Sequence, residues 1–162
     1  RITFDVESFS ARVRRDMGKT ADENVTRRVL FDFVDRKVPV SLLMIYGYPI
    51  ETEEDFRTTL AWIRERGDRF SHICFSCFVV TPEYLQRRPG VVSFLEKGRH
   101  PYRWRSEHVD PDRRKERFLA LVEVLQMLGI EYMISAPHGG MYYRAWNARE
   151  AAAFEEAWRR SS

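Results

Sequence analysis

The chain lacks the features that mark several large classes of protein. It has only two cysteines in 162 residues, too few for a disulfide framework, which favours a reducing, cytoplasmic setting. No apolar run approaches the ~20 residues that a membrane-spanning helix needs, so no membrane partner is expected. The net charge of +3 is too small to indicate a nucleic-acid partner by itself. What is present is 44% hydrophobic and 31% charged, the composition of an ordinary globular domain.

The beginning of the chain is unusual. It starts with Arg1 rather than methionine, and Ile2, Phe4 and Val6 already alternate with polar residues, the period-two pattern of a strand. A strand without any lead-in favours the interpretation that the sequence is a fragment of a longer protein. The alternative is a chain that has been trimmed close to its natural start.

Strands and helices are predicted to alternate along the chain. Strands are predicted from Ile2 to Glu7, Val38 to Tyr46, His72 to Val80 and Glu131 to Ser135. Helices are predicted from the capping box at Thr20 to Lys37, from Thr52 to Gly67, near Val91–Lys97, from Asp110 to Gly129, and from Asn147 with Phe154 and Trp158 inward. The segment from Thr81 to Glu107 loses periodicity and is expected to form a cover. Strand–helix alternation predicts an α/β fold with a parallel sheet.

Two junctions between a strand and a helix carry most of the functional signal. The first reads Glu7-Ser8-Phe9-Ser10 and is followed by Met17-Gly18-Lys19. The second reads Gly47-Tyr48-Pro49-Ile50-Glu51-Thr52 and runs on to Asp55-Phe56. With the Thr81-Pro82 step after the third strand, this order resembles the later half of the barrel of radical S-adenosylmethionine (SAM) enzymes, closest to the cobalamin-dependent and methylthiotransferase-like branches.

The resemblance covers about half of the chain and implies a fold and a function. Residues 1–85 would be a partial, half TIM-like barrel, and residues 86–162 would be a cover segment with C-terminal helices packing on the same core. The chain would be a fragment of a radical SAM iron–sulfur enzyme, supplying the ribose and adenine side of the SAM site and a cover that faces a small-molecule or RNA substrate. The implied cofactor-binding residues are Glu7, Ser8, Lys19, Tyr46, Gly47 and Glu51.

The family's Cys-x-x-x-Cys-x-x-Cys loop, which holds the iron–sulfur cluster, is absent from this sequence. The resemblance therefore assigns the 4Fe-4S cluster, SAM chemistry and any use of cobalamin to a parent protein. The missing N-terminal half of the same polypeptide would be the main partner. The isolated chain is expected to be inactive and without cofactors, to bind SAM at best very weakly, and to associate into homo-oligomers through exposed strand edges.

Five of the six implied site residues also have a purely structural interpretation. Glu7 can accept from ribose hydroxyls or be a solvated carboxylate, and Lys19 can pair with the SAM carboxylate or be a solvated loop lysine. Ser8 can contact a ligand or cap the turn, which is favoured. Gly47 permits close approach of a ligand and is also a turn residue. Glu51 can orient this loop or be one more acidic residue near a helix N-terminus, which is favoured.

The two cysteines and one basic stretch also have both a functional and a structural interpretation. Cys74 and Cys77 have Cys-x-x-Cys spacing but fall within an apolar strand, which favours buried structural thiols over a zinc or redox site. Residues 99–105, from Arg99 to Arg105, interleave cations and aromatic rings. They suit a domain interface better than nucleic acid. The rival hypothesis is a non-catalytic module that binds RNA or a protein through that stretch.

Overall fold

The computed structural model describes residues 1–19, 22–95, 101–137 and 142–144, the last three by their backbone. The strands are β1 (Ile2–Glu7), β2 (Val40–Tyr46), β3 (His72–Cys77), β4 (Ser93–Phe94), β5 (Trp104–Arg105), β6 (Glu131–Ser135) and β7 (Tyr142–Arg144). The helices are α1 (Ala11–Asp16), α2 (Glu23–Asp35), α3 (Glu53–Arg66), α4 (Pro82–Arg87) and α5 (Pro111–Leu128), with a short 3-10 turn at Gly67–Arg69. The final helix predicted from Asn147 lies outside the described residues.

The predicted α/β fold with a parallel sheet is confirmed. The main sheet has the order β1-β2-β3-β6-β7, and its first four strands are parallel. The fifth strand, β7, pairs antiparallel with β6. In the part of the chain that is described, the sheet is open and β1 forms one edge.

Helices cover one face of this sheet. Leu42 and Phe75 on the strands are buried in one cluster with Leu30 of α2, Ile63 of α3 and Leu121 of α5. The opposite face carries the exposed polar side chains of β1 and Leu43, which is 38% exposed in the middle of β2. Ser41 and Cys74, on the same face as Leu43, are buried, so this second face is exposed only in part.

Local sequence signals explain where most helices begin and end. Thr52 caps α3 as predicted, in a capping box with Asp55. Asp110 caps α5, with Pro111 at its first position, and Gly129 ends it in the left-handed conformation with φ 64°. The predicted cap of α2 at Thr20 is wrong: α2 begins at Glu23, and the side chain of Asp22 accepts a hydrogen bond from the backbone N–H two residues on.

The cover segment differs from its prediction. The helix predicted near Val91–Lys97 does not form, because Ser93 and Phe94 pair with Arg105 and Trp104 as a two-stranded ribbon. An unpredicted helix, α4, begins earlier, where the Thr81 side chain accepts from the backbone N–H of Tyr84. A second buried cluster joins the cover to the loop after β2 through Tyr48, Tyr84, Val92 and Trp104.

Candidate ligand site at the carboxyl ends of β1 and β2

The strand β1 ends in an unusual backbone conformation. Glu7 has φ 67°, in the left-handed region that non-glycine residues rarely adopt, and the β1–β2 register shifts between Asp5 and Glu7. Such conformations cost about 1–3 kcal/mol and persist where the surrounding structure fixes them, often at functional sites. The shift turns the strand tip and re-aims the Glu7 side chain, as bulges commonly do.

Lys19 joins the two carboxylates of β1. Its Nζ donates to Oδ2 of Asp5 at 2.6 Å and lies 3.2 Å from Oε1 of Glu7. The chain returns to the strand because Gly18 adopts φ 76° after α1, and the Lys19 backbone N–H then donates to the carbonyl of Arg14. The Glu7 side chain is 15% exposed and that of Lys19 is 31% exposed, so both reach solvent from a partly buried position.

Burial and the neighbouring charges shift the pKa values of this cluster in different directions. Burial, reinforced by Asp5, raises the pKa of Glu7 to about 7 even though Lys19 opposes the shift. Burial acts to raise the pKa of Asp5 as well, but the hydrogen bond and charge of Lys19 outweigh it and the pKa is lowered. For Lys19, burial acts to lower the pKa, and the bonds to Asp5 and Glu7 reverse that effect and raise it.

A cleft of about 450 Å³ lies beside this cluster, between β1, α1 and α2. Its polar side is formed by Asp5, Lys19, Arg14 and Thr26, and its apolar side by Phe4, Val6, Val25 and Val29. A ligand placed here would meet the carboxylate of Asp5, which can accept from hydroxyl or ammonium groups, two cations that can bind a carboxylate, and an apolar wall. This combination of an apolar wall and a few convergent polar groups is typical of small-molecule sites.

The tip of β2 lies next to that of β1, since the two strands are paired in parallel. Gly47 turns the chain with φ 71°, and its backbone N–H donates to Oε2 of Glu51 at 2.9 Å. The carboxylate of Glu51 is 1% exposed and also accepts from Nη1 of Arg117 at 2.7 Å. Burial raises the pKa of Glu51 to about 7 against the opposing charge of Arg117.

Three of the six residues singled out from the sequence are buried with partners in the protein. The Ser8 hydroxyl is fully buried and lies 3.1 Å from the hydroxyl of Thr59 on α3. The Tyr46 hydroxyl donates to the carbonyl of Ser135 at 2.6 Å, and burial raises its pKa. Glu51 is bonded as described above. The structure thus brings Glu7 and Lys19 together at an accessible place, and it gives Ser8, Tyr46 and Glu51 structural contacts.

Two buried arginines on α5 were missed in the sequence. Arg114 is 0% exposed and donates from Nη2 to the carbonyls of Tyr102 and Trp104 in the cover. Arg117 is 2% exposed and donates to both the side chain and the carbonyl of Glu51. A faint signal was present, because both arginines fall at helical spacing on the face that carries the apolar residues of α5, where a solvated arginine is not expected.

A second polar contact that the sequence did not reveal ties the first junction to α3. The carboxylate of Asp55 accepts from the hydroxyl of Ser10 at 2.6 Å and from the guanidinium of Arg12. Burial acts to raise the pKa of Asp55, but the bonds from Arg12, Ser10 and Thr52 outweigh it and the pKa is lowered. These bonds fix α1 against the beginning of α3, and thereby hold the two strand tips at a set distance.

The buried ring of Trp104 limits what the basic-aromatic stretch can do. Trp104 is 0% exposed, and the guanidinium carbon of Arg114 lies 4.2 Å from the centre of its ring. A ring in that position cannot stack on a nucleotide base. Arg99 and His100 lie outside the described residues.

Both cysteines are free, buried thiols. Burial raises the pKa of Cys74, and it raises that of Cys77 to about 11, which makes both poor thiolates at neutral pH. Within the described ranges, no group of three or more histidine, cysteine, aspartate and glutamate side chains is placed to hold a metal ion. The same part of the chain has no helix that is long and apolar enough to cross a bilayer.

The chain matches no protein-family model, no curated protein and no solved structure.

We expect Glu7→Gln to change how stability depends on pH. The pKa of Glu7 is about 7 in the fold against 4.5 for a free side chain, so the folded protein holds the proton more tightly. The stabilisation is complete below pH 4.5 and is lost as the pH rises through about 7. Urea unfolding between pH 4 and pH 8 should therefore show a decline in the free energy of unfolding that Glu7→Gln makes shallower, while Glu51, whose pKa is also about 7, keeps the remaining part of the decline. The matched variant Glu116→Gln, at an exposed position on α5, should keep the decline.

Proposed function

We propose that the chain is the later part of a radical SAM-type barrel, which supplies one side of a SAM site and a cover facing the substrate. The observation that carries the proposal is the position of the Glu7–Lys19 pair at the carboxyl end of β1, directly beside the Gly47 turn of β2. Active sites of α/β barrels are built from the carboxyl ends of adjacent parallel strands. A half-barrel is a more specific architecture than the open sheet of four parallel strands described above, and it is part of this proposal.

The Glu7–Lys19 pair has the chemistry to hold two different parts of SAM. The Glu7 carboxylate can accept hydrogen bonds from the ribose hydroxyls, and the Lys19 ammonium can pair with the carboxylate of the methionine portion. Because the pKa of Glu7 is about 7, this carboxyl group can also donate a hydrogen bond near neutral pH. The Gly47 turn can bring backbone against the adenine, although its own N–H is already donated to Glu51.

The iron–sulfur cluster does not fit the described part of this chain. A 4Fe-4S cluster is held by cysteine thiolates, whereas Cys74 and Cys77 are buried in β3 and hold their protons. In the proposed parent protein, the cluster and SAM together supply the radical chemistry, and the cluster ligands come from another part of the polypeptide. The role of this chain is to bind, orient and exclude water. Any use of cobalamin would belong to the parent protein.

The free edge of β1 supports the presence of a neighbouring half-barrel. In the described sheet β1 has a partner on one side only, and the cleft of about 450 Å³ runs beside it. On α2 the cleft is lined by Val25, which is 42% exposed, and Val29, which is 38% exposed. An unpaired strand edge next to exposed apolar side chains suits the addition of a further strand–helix unit, which would occupy the apolar part of this cleft in the parent protein.

The rival hypothesis of an RNA- or protein-binding module has less support. It depends on the basic-aromatic stretch, and the one tryptophan of that stretch is buried under Arg114. The observation that separates the two hypotheses is the coding sequence upstream of Arg1. A three-cysteine loop encoded there supports the enzyme, and its absence would favour the module.

The experiment that tests the proposal measures SAM binding by the pair itself. Saturation-transfer NMR of the chain with SAM should detect weak binding that Glu7→Gln and Lys19→Met each reduce by about tenfold, as expected for loss of one hydrogen bond to a charged group. Lys37→Met, which removes an exposed lysine after α2, should leave the signal unchanged. The longer parent protein, prepared without oxygen, should show iron–sulfur absorbance and cleave SAM. SAM binding that is insensitive to both site variants would contradict the proposed pocket, and a parent without a cluster would contradict the assigned chemistry.

A further inference from the structure

The ribbon of the cover presents two polar side chains on its outer face. Ser93 is paired with Arg105 and Phe94 with Trp104, and side chains alternate between the two faces of a strand. Trp104 is fully buried and Phe94 packs against the second core cluster, so the ribbon is pinned by its inner face. Ser93 and Arg105 are both exposed, and as directly paired residues they lie side by side.

A cleft of about 340 Å³ lies between this outer face and the loop after β2. One wall is formed by Pro49 and Ile50 and the other by the ribbon, Gly90, Val91 and residues 106–108. The Ser106 hydroxyl donates to the carbonyl of Pro49 at 2.6 Å and accepts from the backbone N–H of Val109 at 3.0 Å. These bonds join the two walls, so the cleft has a fixed width.

The polar groups in the cleft are available to a ligand. Ser93 and Arg105 are exposed, and both line the cleft. The imidazole of His108 adds a third polar group, and its Nε2 lies 3.9 Å from Oε2 of Glu107. The side chain of Glu107 is 87% exposed, which places it at the rim.

We infer that this cleft binds a small molecule carrying a phosphate group. A guanidinium, a hydroxyl and an imidazole line this one cleft, and these are groups with which proteins hold phosphate oxygens. Arginine is preferred for this task because its donors form a planar fork. The apolar walls at Pro49, Ile50 and Val91 accommodate the rest of a compact ligand. A single-stranded nucleic acid fits less well, since it needs stacking rings and Trp104 is buried.

This site is separate from the one in the proposed function. It contains neither Glu7 nor Lys19, and it shares no lining residue with the cleft beside β1. Either proposal can therefore fail without the other.

The inference is tested by calorimetric titration of the protein with inorganic phosphate and then with adenosine monophosphate. Potassium chloride keeps the ionic strength constant. We expect saturable binding that Arg105→Ala weakens at least tenfold, since it removes a hydrogen bond to a charged group. Arg105→Lys should give an intermediate loss, because it keeps the charge and loses the fork. Glu107→Gln should tighten binding two- to threefold by removing a like charge, roughly the effect of a screened surface pair.

The control is Arg28→Ala, which removes an exposed guanidinium on α2 and should leave phosphate binding unchanged. Circular dichroism verifies that each variant is folded, and Arg105 is exposed enough for its replacement to be tolerated. Binding that is absent, or equal in the Arg28 and Arg105 variants, would overturn the inference. The inference would also be overturned if a ten-nucleotide RNA bound through Arg105 while adenosine monophosphate did not bind. That result would assign the surface to nucleic acid.

Discussion

Replacing Arg117 with methionine is expected to destabilise the protein by about 3–5 kcal/mol, because removal of one partner leaves a buried charge uncompensated. Arg117 donates to the carboxylate of Glu51 at 2.7 Å and to its carbonyl at 3.0 Å, and both side chains are almost fully buried. The guanidinium carbon also lies 5.3 Å from the ring of Phe56, so methionine would replace only part of the packing. Urea unfolding at pH 7 provides the measurement.

The loss of unfolding free energy in Arg117→Met should depend on pH, because the pKa of Glu51 determines at which pH its buried carboxyl group is charged. Burial already raises its pKa to about 7, and loss of Arg117 removes the main opposing effect. The variant can relieve the buried charge by binding a proton, which is easier at pH 5 than at pH 8. The destabilisation by Arg117→Met should therefore be larger at pH 8 than at pH 5.

Two further variants define what the loss means. Arg113→Met, on the same helix but 47% exposed and 3.8 Å from Glu53, should change stability by less than about 0.5 kcal/mol, as exposed ion pairs contribute little. The double variant Arg117→Met with Glu51→Gln should recover part of the stability, since the amide is neutral and still accepts from the Gly47 N–H. If Arg117→Met alone lowers the free energy of unfolding by less than about 1 kcal/mol, the buried Arg117–Glu51 pair does not stabilise the fold as described.

Gly47→Ala is expected to cost about 2–4 kcal/mol, the sum of a backbone penalty and a steric one. Gly47 has φ 71°, a conformation that alanine adopts with strain. An added Cβ would lie 2.9 Å from Cγ and 3.1 Å from Cδ of Arg114. Arg114 cannot move aside easily, because its guanidinium is bonded to the carbonyls of Tyr102 and Trp104.

Gly18→Ala is the matched control for this variant. Gly18 has φ 76°, almost the same conformation, and nothing lies within 4 Å of the position of its Cβ. It should pay only the backbone cost of about 1 kcal/mol. If the two variants lose the same stability in urea unfolding, the close contact between Gly47 and Arg114 is not a constraint on the fold.

The order of the four parallel strands and of α2, α3 and α5 was predictable because its signals are local, whereas α1, α4, β4, β5 and β7 were not predicted. Thr52 and Asp55 cap α3 through bonds within four residues, and Asp110-Pro111 begins α5 in the same way. The cap of α2 was misjudged because Thr20 and Asp22 are both good capping residues two positions apart. The segment from Val91 was misjudged because its pairing partner lies about ten residues away, at Trp104 and Arg105.

The candidate site was predictable only in part. Glu7 and Lys19 were singled out by a motif, and the structure places them 3.2 Å apart. The same motif singled out Ser8 and Glu51, yet the structure buries them against Thr59 and Arg117. Arg117 itself could not be found from its type, because most arginines are solvated.

By itself, the sequence determined the alternation of strands and helices, the parallel direction of the four main strands and the two junctions where polar residues gather. Only the tertiary structure decided which of those polar side chains face a cleft and which support the core. The physical reason is that capping and periodicity act over a few residues of chain. Burial of a carboxylate depends on whether a distant helix such as α5 brings a cation to it, as Arg117 is brought to Glu51.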